Sequence, residues 1–252
     1  MDKIVIYGEI IGEISEKAEC TNPIHGICNW SFTESVQPDS LGKFQIETAA
    51  KEFMFIKIRT SYTEQGTLIV EPGTIYNVRF NLNDKENIFS ITGKSSAIQK
   101  TYNKFPKPEH IQFAAREFLR DTIATKIKET IEQRKTAEIA EFKKLYSDKL
   151  VSRKLFDMVK TDTTCYYDAV LATTAWIKNL MTIQGRDQVF PKEFEDLWKG
   201  AFDHPLFPNP EIVKSQWFNF YAESFITLKV FMYEQIKNLI PNCGKYLIEE
   251  VQ

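Results

Sequence analysis

Apolar and polar positions over the first hundred or so residues alternate in short runs separated by turn residues, and this period-two pattern predicts strands. Ile4–Ile14 is predicted as a strand interrupted near Gly8 and Gly12. Cys20–Cys28 holds Asn22-Pro23 and Gly26 and is predicted as a loop. Asn29–Val36 alternates through Trp30 and Phe32, and Pro38-Asp39-Ser40-Leu41-Gly42 turns the chain into Lys43–Glu47. Phe53–Arg59 alternates, with Phe53 and Phe55 set against Ile56 and Ile58. Leu68-Ile69-Val70 and Ile75–Phe80 flank Glu71-Pro72-Gly73, which predicts a hairpin, since Pro presets φ and Gly permits a positive φ. Asn83-Asp84-Lys85-Glu86 turns into a last strand, Asn87–Thr92. Strands about ten residues apart with turns between them point to a sandwich or barrel.

The spacing changes at Pro106-Lys107-Pro108. Leu119, Ile123, Ile127 and Ile131 recur every fourth residue with charged residues between them, which predicts a helix from about Glu109 to Tyr146 with room for a break. Ser152–Val159 and Tyr166–Met181 are two further helix candidates, and Pro191 is placed to start another. After the proline-rich loop Asp203–Pro210, Glu211–Leu239 is predicted as one long aromatic helix stopped by Pro241 and Gly244. The expected fold class is therefore α+β in two domains: an antiparallel β-sandwich over residues 1–105 and an all-α region over 106–252. Proline disfavours helix at the residue before it, so Phe105 and Lys107 should be extended. A protease is expected to cut near residues 103–109 and release a β-rich piece.

Composition narrows this only a little. The 252 residues are 43% hydrophobic and 26% charged, ordinary globular usage. A net charge of −2 with no long Lys/Arg cluster argues against a nucleic-acid partner. Met1-Asp2-Lys3 runs straight into a strand pattern without a signal peptide, and no run approaches the ~18 apolar residues of a membrane span. The four cysteines, Cys20, Cys28, Cys165 and Cys243, form no C-x-x-C pair, so the chain lacks the usual dithiol redox motif. Nineteen Phe and ten Tyr can fill two cores and leave aromatic surface over.

Several phrases carry a family resemblance. Ser40-Leu41-Gly42-Lys43-Phe44, Val70-Glu71-Pro72-Gly73 and Ile91-Thr92-Gly93-Lys94-Ser95 resemble, in order and spacing, a strand opening, an E-P-G turn and a motif leading into a helix. Together they resemble the N-terminal β domain of secreted thioredoxin-like disulfide reductases of the TlpA type, often lipoproteins of Gram-negative bacteria. Leu155–Lys160 and Cys165-Tyr166-Tyr167 resemble the helical insert of a subset of them. The resemblance implies a periplasmic or cell-envelope protein, lipid-anchored through a removed leader, with a C-terminal thioredoxin-like domain carrying W-C-x-x-C as its partner. The family's N-terminal domain has no settled biochemical role. No W-C-x-x-C occurs before Gln252, so the resemblance transfers no catalytic residue and implies no cofactor.

The most chemical-looking segment is the C-x4-H-x2-C set Cys20, His25 and Cys28. It is one ligand short of a structural zinc site. A Cys20–Cys28 disulfide in an oxidising compartment and two free thiols are the other readings. Cys165 on its helical pattern reads as a small core hydrophobe, whereas Cys243 near the end reads as exposed. His110 and His204 have no Ser or Asp partner that the sequence can place, and no nucleophile elbow occurs. Glu193, Glu195 and Asp196 suit the helix dipole. Trp217, Tyr221, Phe225, Leu228 and Met232 form a stripe at helical spacing that suits core packing, with excess aromatics free for a partner.

Three functions fit these readings. The first is a non-catalytic region of an exported thiol–disulfide oxidoreductase, acting as scaffold, homodimerisation surface or substrate-presenting module. Trp217 and Tyr221 would then supply its partner surface. The second is a cell-surface glycan- or peptide-binding module, with Trp30 and Phe32 as contacts. The third is a hydrolase with a site split between the domains, which lacks a legible nucleophile.

Overall fold

The computed structural model describes residues 2–22, 33–61, 64–92, 96–108, 110–184, 190–203 and 210–239. The chain is α+β: among the described residues the strands form two four-stranded sheets, and the helices follow them. The strands are β1 (Asp2–Ile11), β2 (Ala18–Thr21), β3 (Glu34–Val36), β4 (Lys43–Ala50), β5 (Met54–Arg59), β6 (Gln65–Val70), β7 (Ile75–Asn81) and β8 (Phe89–Thr92). One sheet has the order β4-β1-β7-β8 and the other β3-β2-β5-β6. The inward side chains of both, among them Ile4, Ile46, Ile58, Leu68 and Phe80, make one core between the sheets. Strict alternation of buried and exposed positions along β4 and β7 leaves the other face of the first sheet in solvent.

Strand pairing departs from the sequence reading in two ways. Leu68 to Phe80 is not a hairpin: β6 lies in one sheet and β7 in the other. Glu71-Pro72-Gly73 carries the chain across the core, with Gly73 at φ 71°. The Glu71 N–H donates to the Tyr76 hydroxyl at 2.6 Å, which fixes the crossing. Entering from the opposite sheet, β7 lies parallel to β1, from Val5 opposite Ile75 to Ile11 opposite Asn81. The sandwich is thus mixed, with this parallel pair among otherwise antiparallel ladders.

Two local expectations also change. β1 runs unbroken through Gly8, because the Phe44 ring from β4 lies over it; a Cβ there would sit 1.9 Å from Phe44 Cζ. Cys20 lies within β2 rather than in a loop, paired with Glu34 and Ile58.

The helices are α1 (Ser96–Asn103), α2 (Ile111–Ala115), α3 (Ala124–Ser147), α4 (Arg153–Gln184), α5 (Lys192–Gly200) and α6 (Phe218–Leu239). The predicted break after α2 falls at residues 119–123, where Lys178 Nζ of α4 donates to the Leu119 carbonyl at 3.1 Å. The two helices expected between Ser152 and Met181 are one continuous α4, whose polar middle buries Asp162 and Thr163 against partners on other segments, Ser215, Gln216 and Glu138. The long helix expected from Glu211 is split: a 3-10 segment, Pro210–Lys214, precedes α6. Between them the Ser215 hydroxyl oxygen accepts the Trp217 N–H at 3.0 Å. Lys149 turns the chain between α3 and α4 at φ 58°. There Leu150 N–H reaches Leu145 O and Lys149 N–H reaches Tyr146 O, a Schellman arrangement with a lysine where glycine is usual.

α4 is the centre of the helical region, with α2, α3, α5 and α6 packed around it. Among the described residues no helix is long and apolar enough to cross a membrane. Helices begin with α1, ahead of Pro106 and inside the stretch expected to be all β, and the change of element type is not a gap in packing. Phe55 and Ile69, on the outer face of β5 and β6, share a core cluster with Ile98 and Tyr102 of α1, Phe142 of α3 and Met158 of α4.

Candidate functional site at the sheet–helix junction

Three groups of polar side chains are buried where the second sheet meets the helices. The first closes a sheet edge. β6 is the last strand of its sheet, and an uncovered edge presents unpaired backbone groups. Gln99 of α1 occupies that edge like one more strand residue. Its Oε1 accepts the Ile69 N–H at 3.0 Å, and its Nε2 donates to the Thr67 carbonyl at 2.6 Å.

The second group joins four segments in one chain of donors. The Thr67 hydroxyl donates to Gln216 Oε1 at 3.3 Å, and Gln216 Nε2 donates to the Tyr102 hydroxyl at 2.8 Å. The Tyr102 hydroxyl donates in turn to Asp162 Oδ2 at 3.2 Å. The other oxygen of Asp162 accepts the Ser215 hydroxyl at 2.8 Å and the Gln216 N–H at 2.9 Å. Sheet, α1, α4 and the turn before α6 are therefore held at one carboxylate. Burial pushes the Asp162 carboxyl above its ordinary value, against the Lys107 charge and the three donors that pull it down. Burial, with Asp162 and Glu138 nearby, pushes the Tyr102 phenol well up, so it stays a neutral donor.

The third group surrounds Lys107, whose side chain is only 4% exposed. Its ammonium pairs with fully buried Glu138 at 2.6 Å and lies 4.6 Å from the Tyr102 ring centre and 5.3 Å from that of Tyr166. Glu138 also accepts the Thr163 hydroxyl at 3.0 Å and the Tyr167 hydroxyl at 3.1 Å. One turn away, Lys135 bridges Asp168 at 3.0 Å and Glu132 at 2.7 Å. Burial opposes the Lys135 charge, but these two carboxylates more than offset it and its pKa is raised.

Two clefts flank the segment Phe105-Pro106-Lys107. The larger, about 470 Å³, is walled by Phe105, Pro108, Phe113, Phe118 and Tyr166, with Glu117 and Arg134 among its lining residues. The smaller, about 270 Å³, lies between the Gly66–Thr67 edge, Phe89, Tyr102 and Trp217.

The residues singled out by sequence fare unevenly. Trp217 and Tyr221 are 3% and 1% exposed, with Trp217 against Tyr166 and Tyr221 against Phe202. They belong to the helical core and form no open partner surface, because the stripe faces α4 and α5. Trp30, Phe32, His25, Cys28, His204 and Cys243 lie outside the described residues. Cys20 is a buried free thiol pushed up to about 12 by burial, with Glu34 adding to the shift. Cys165 is fully buried, and burial raises its thiol well above the ordinary range. His110 precedes α2 with its ring 5.8 Å from that of Phe113. Glu193 and Glu195 sit in the first turn of α5, where Lys192 pairs with Asp196 at 2.9 Å and Lys199 pairs with Glu195. Among the described residues no group of three or more His, Cys, Asp or Glu is arranged to hold a metal.

Sequence reasoning did not find Gln99, Tyr102, Lys107, Glu138 or Asp162. One signal was present: the apolar stripe Ile127–Ile131, continued at the same spacing, meets Lys135 and Glu138 before Phe142. Comparison with protein-family models, curated proteins and solved structures found no match to this chain.

Proposed function

We propose that this chain is the non-catalytic N-terminal part of an exported thioredoxin-like thiol–disulfide oxidoreductase, and that it acts as a rigid scaffold for the redox domain. The observation that carries the proposal is the junction. Gln99, Tyr102, Lys107, Glu138 and Asp162 tie the sandwich to the helices through buried, mutually satisfied polar groups. Such a junction holds two parts in a fixed relation, because pulling them apart leaves buried donors and carboxylates unpaired. The two described thiols also fit a supporting role: both are buried and both are shifted away from the thiolate form, which is the reactive one.

In this reading the protein belongs to the periplasm or cell envelope, and its partner is a thioredoxin-like domain of the same polypeptide. Two measurements test it. The reading frame beyond the codon for Gln252 should continue into a W-C-x-x-C segment, and a stop codon there would reject the proposal. The chain by itself should not accelerate insulin reduction by dithiothreitol, since it has no vicinal dithiol. Acceleration that disappears in Cys243→Ser would reject it independently.

A second reading, a ligand-binding module, is favoured by the larger cleft, whose volume and aromatic walls suit a small molecule.

A further inference from the structure

The larger cleft differs from an ordinary packing defect in what lines it. It is enclosed by the Phe105-Pro106-Lys107-Pro108 segment on one side and by α2, α3 and α4 on the others. Phe113, Phe118 and Tyr166 supply flat apolar walls. Phe113 is about half exposed although it sits on a core-forming helix, so its ring is already committed to the opening rather than to the core.

Polar groups converge on the same space. The Tyr166 hydroxyl has no hydrogen-bond partner among the described residues, whereas the neighbouring Tyr167 hydroxyl is bound to Glu138. A phenol on a cleft wall that no protein group engages can donate to a ligand in place of water. Arg134 projects from α3 with its guanidinium carbon 5.4 Å from the Phe118 ring centre. One of its nitrogens, Nη1, meets Glu117 at 2.7 Å in an exposed pair. Five N–H donors sit on a guanidinium, so the edge not used by Glu117 can take a second carboxylate in a forked contact. Lys104 and Lys107 also line the cleft but are held by Glu141 at 3.3 Å and Glu138 at 2.6 Å, which leaves the half-exposed Arg134 as the cation that a ligand can engage.

We infer that this cleft is a binding site for a compact aromatic carboxylate: the ring enters between Phe113, Phe118 and Tyr166, and the carboxylate meets Arg134 and the Tyr166 hydroxyl. The inference goes beyond the scaffold reading and holds whether or not a redox domain follows. The volume lies in the range of small-molecule sites. The existing Arg134–Glu117 pair is half-exposed at both partners and therefore weak, so it does not prevent the guanidinium from engaging a ligand.

Titration calorimetry with the whole chain tests this, using 2-naphthylacetate and its uncharged isostere 2-naphthylacetamide. The acid should bind with a dissociation constant below about 1 mM, and the amide about tenfold more weakly, as expected for the loss of one charge-assisted contact. Ala137 lines the cleft from an exposed position on α3, so Ala137→Phe should fill the site and abolish binding without lowering the thermal midpoint. Ala137→Leu carries the same test should the phenylalanine variant fail to fold. Arg134→Gln should bring the acid down to the affinity of the amide, and Glu117→Gln should tighten the acid alone. Absence of binding by the acid, equal affinity for acid and amide, or full binding by a folded Ala137 variant would each overturn the assignment.

Discussion

Replacing Tyr102 by phenylalanine removes one oxygen from the junction and leaves its packing in place. The ring keeps its neighbours Phe55 and Phe142, at 5.8 and 6.5 Å between centres, and its face toward the Lys107 ammonium. What disappears is the bond to Asp162 at 3.2 Å and the acceptor for Gln216 Nε2 at 2.8 Å. Asp162 retains Ser215 and the Gln216 backbone, so its loss is partial. Gln216 loses the partner for its buried amide N–H outright. One unsatisfied buried donor and one lost hydrogen bond to a carboxylate together amount to about 2–3 kcal/mol. In a chain of this size that lowers the thermal midpoint by roughly 4–12 °C. Urea unfolding followed by tryptophan fluorescence gives the free energy, and an unchanged slope shows that the two-state comparison is valid. In a double-mutant cycle with Gln216→Leu, the two losses should fall short of additivity by more than about 0.5 kcal/mol. A Tyr102→Phe change below about 0.5 kcal/mol, or strict additivity with Gln216→Leu, would refute the idea that these bonds hold the junction.

The remaining predictions concern other parts of the fold. Gln99→Leu leaves the Ile69 N–H and the Thr67 carbonyl unpaired at a covered sheet edge and should destabilise by about 2–4 kcal/mol in the same urea assay. Asp162 has a carboxyl pKa raised by burial, so the folded state holds its proton to higher pH than the unfolded chain does. Stability measured against Asp162→Asn should therefore fall as pH rises from the ordinary aspartate value through the raised one, and then level off; a gap that widens in favour of aspartate over that window would contradict the burial argument. Cys20 and Cys165 should resist alkylation by iodoacetamide in the native state and react after unfolding, read by intact mass. Lys149→Gly relieves a left-handed residue at a helix end and should raise stability by about 0.5–1 kcal/mol; a loss of stability would show that the lysine side chain has a role there.

Which stretches form strands was legible in the sequence because it depends on local period and turn chemistry, but the takeover by helices was placed too late: α1, Ser96–Asn103, precedes the prolines at which the spacing changes. Alternation in Lys43–Glu47 and Ile75–Phe80 marks the face each strand turns inward, and both stand as written. Alternation does not name the neighbour. Leu68–Val70 and Ile75–Phe80 look the same whether they pair with one another or face one another across a core, and the core separation of the two sheets decided it. The short continuous run Leu68-Ile69-Val70 held the clue. All three are buried because Leu68 and Val70 face the sandwich and Ile69 faces the helices.

The junction was hidden for a different reason. Lys135 and Glu138 sit on the inward stripe of α3, where charge is ordinarily read as a solvated face. Their partners lie far along the chain: Asp168 for Lys135, and Lys107 for Glu138. In the sequence Lys107 is marked only as an extended residue between two prolines. Its stem instead carries the ammonium inward between two tyrosine rings, so the residues that break the helix also anchor the parts on either side. The Trp217–Met232 stripe was correctly legible as apolar, but only the packing against α4 and α5 shows that Trp217 and Tyr221 are spent on the core.

That the sandwich and the helices act as one body is the claim on which the scaffold proposal rests, and differential scanning calorimetry of the whole chain addresses it most directly. A body joined through Gln99, Tyr102, Lys107 and Asp162 should melt in one transition whose calorimetric and van't Hoff enthalpies agree. Tyr102→Phe should move that single transition downward without splitting it. Two separate transitions in the unmodified chain, one shifting with sandwich substitutions and the other with helical ones, would contradict the account.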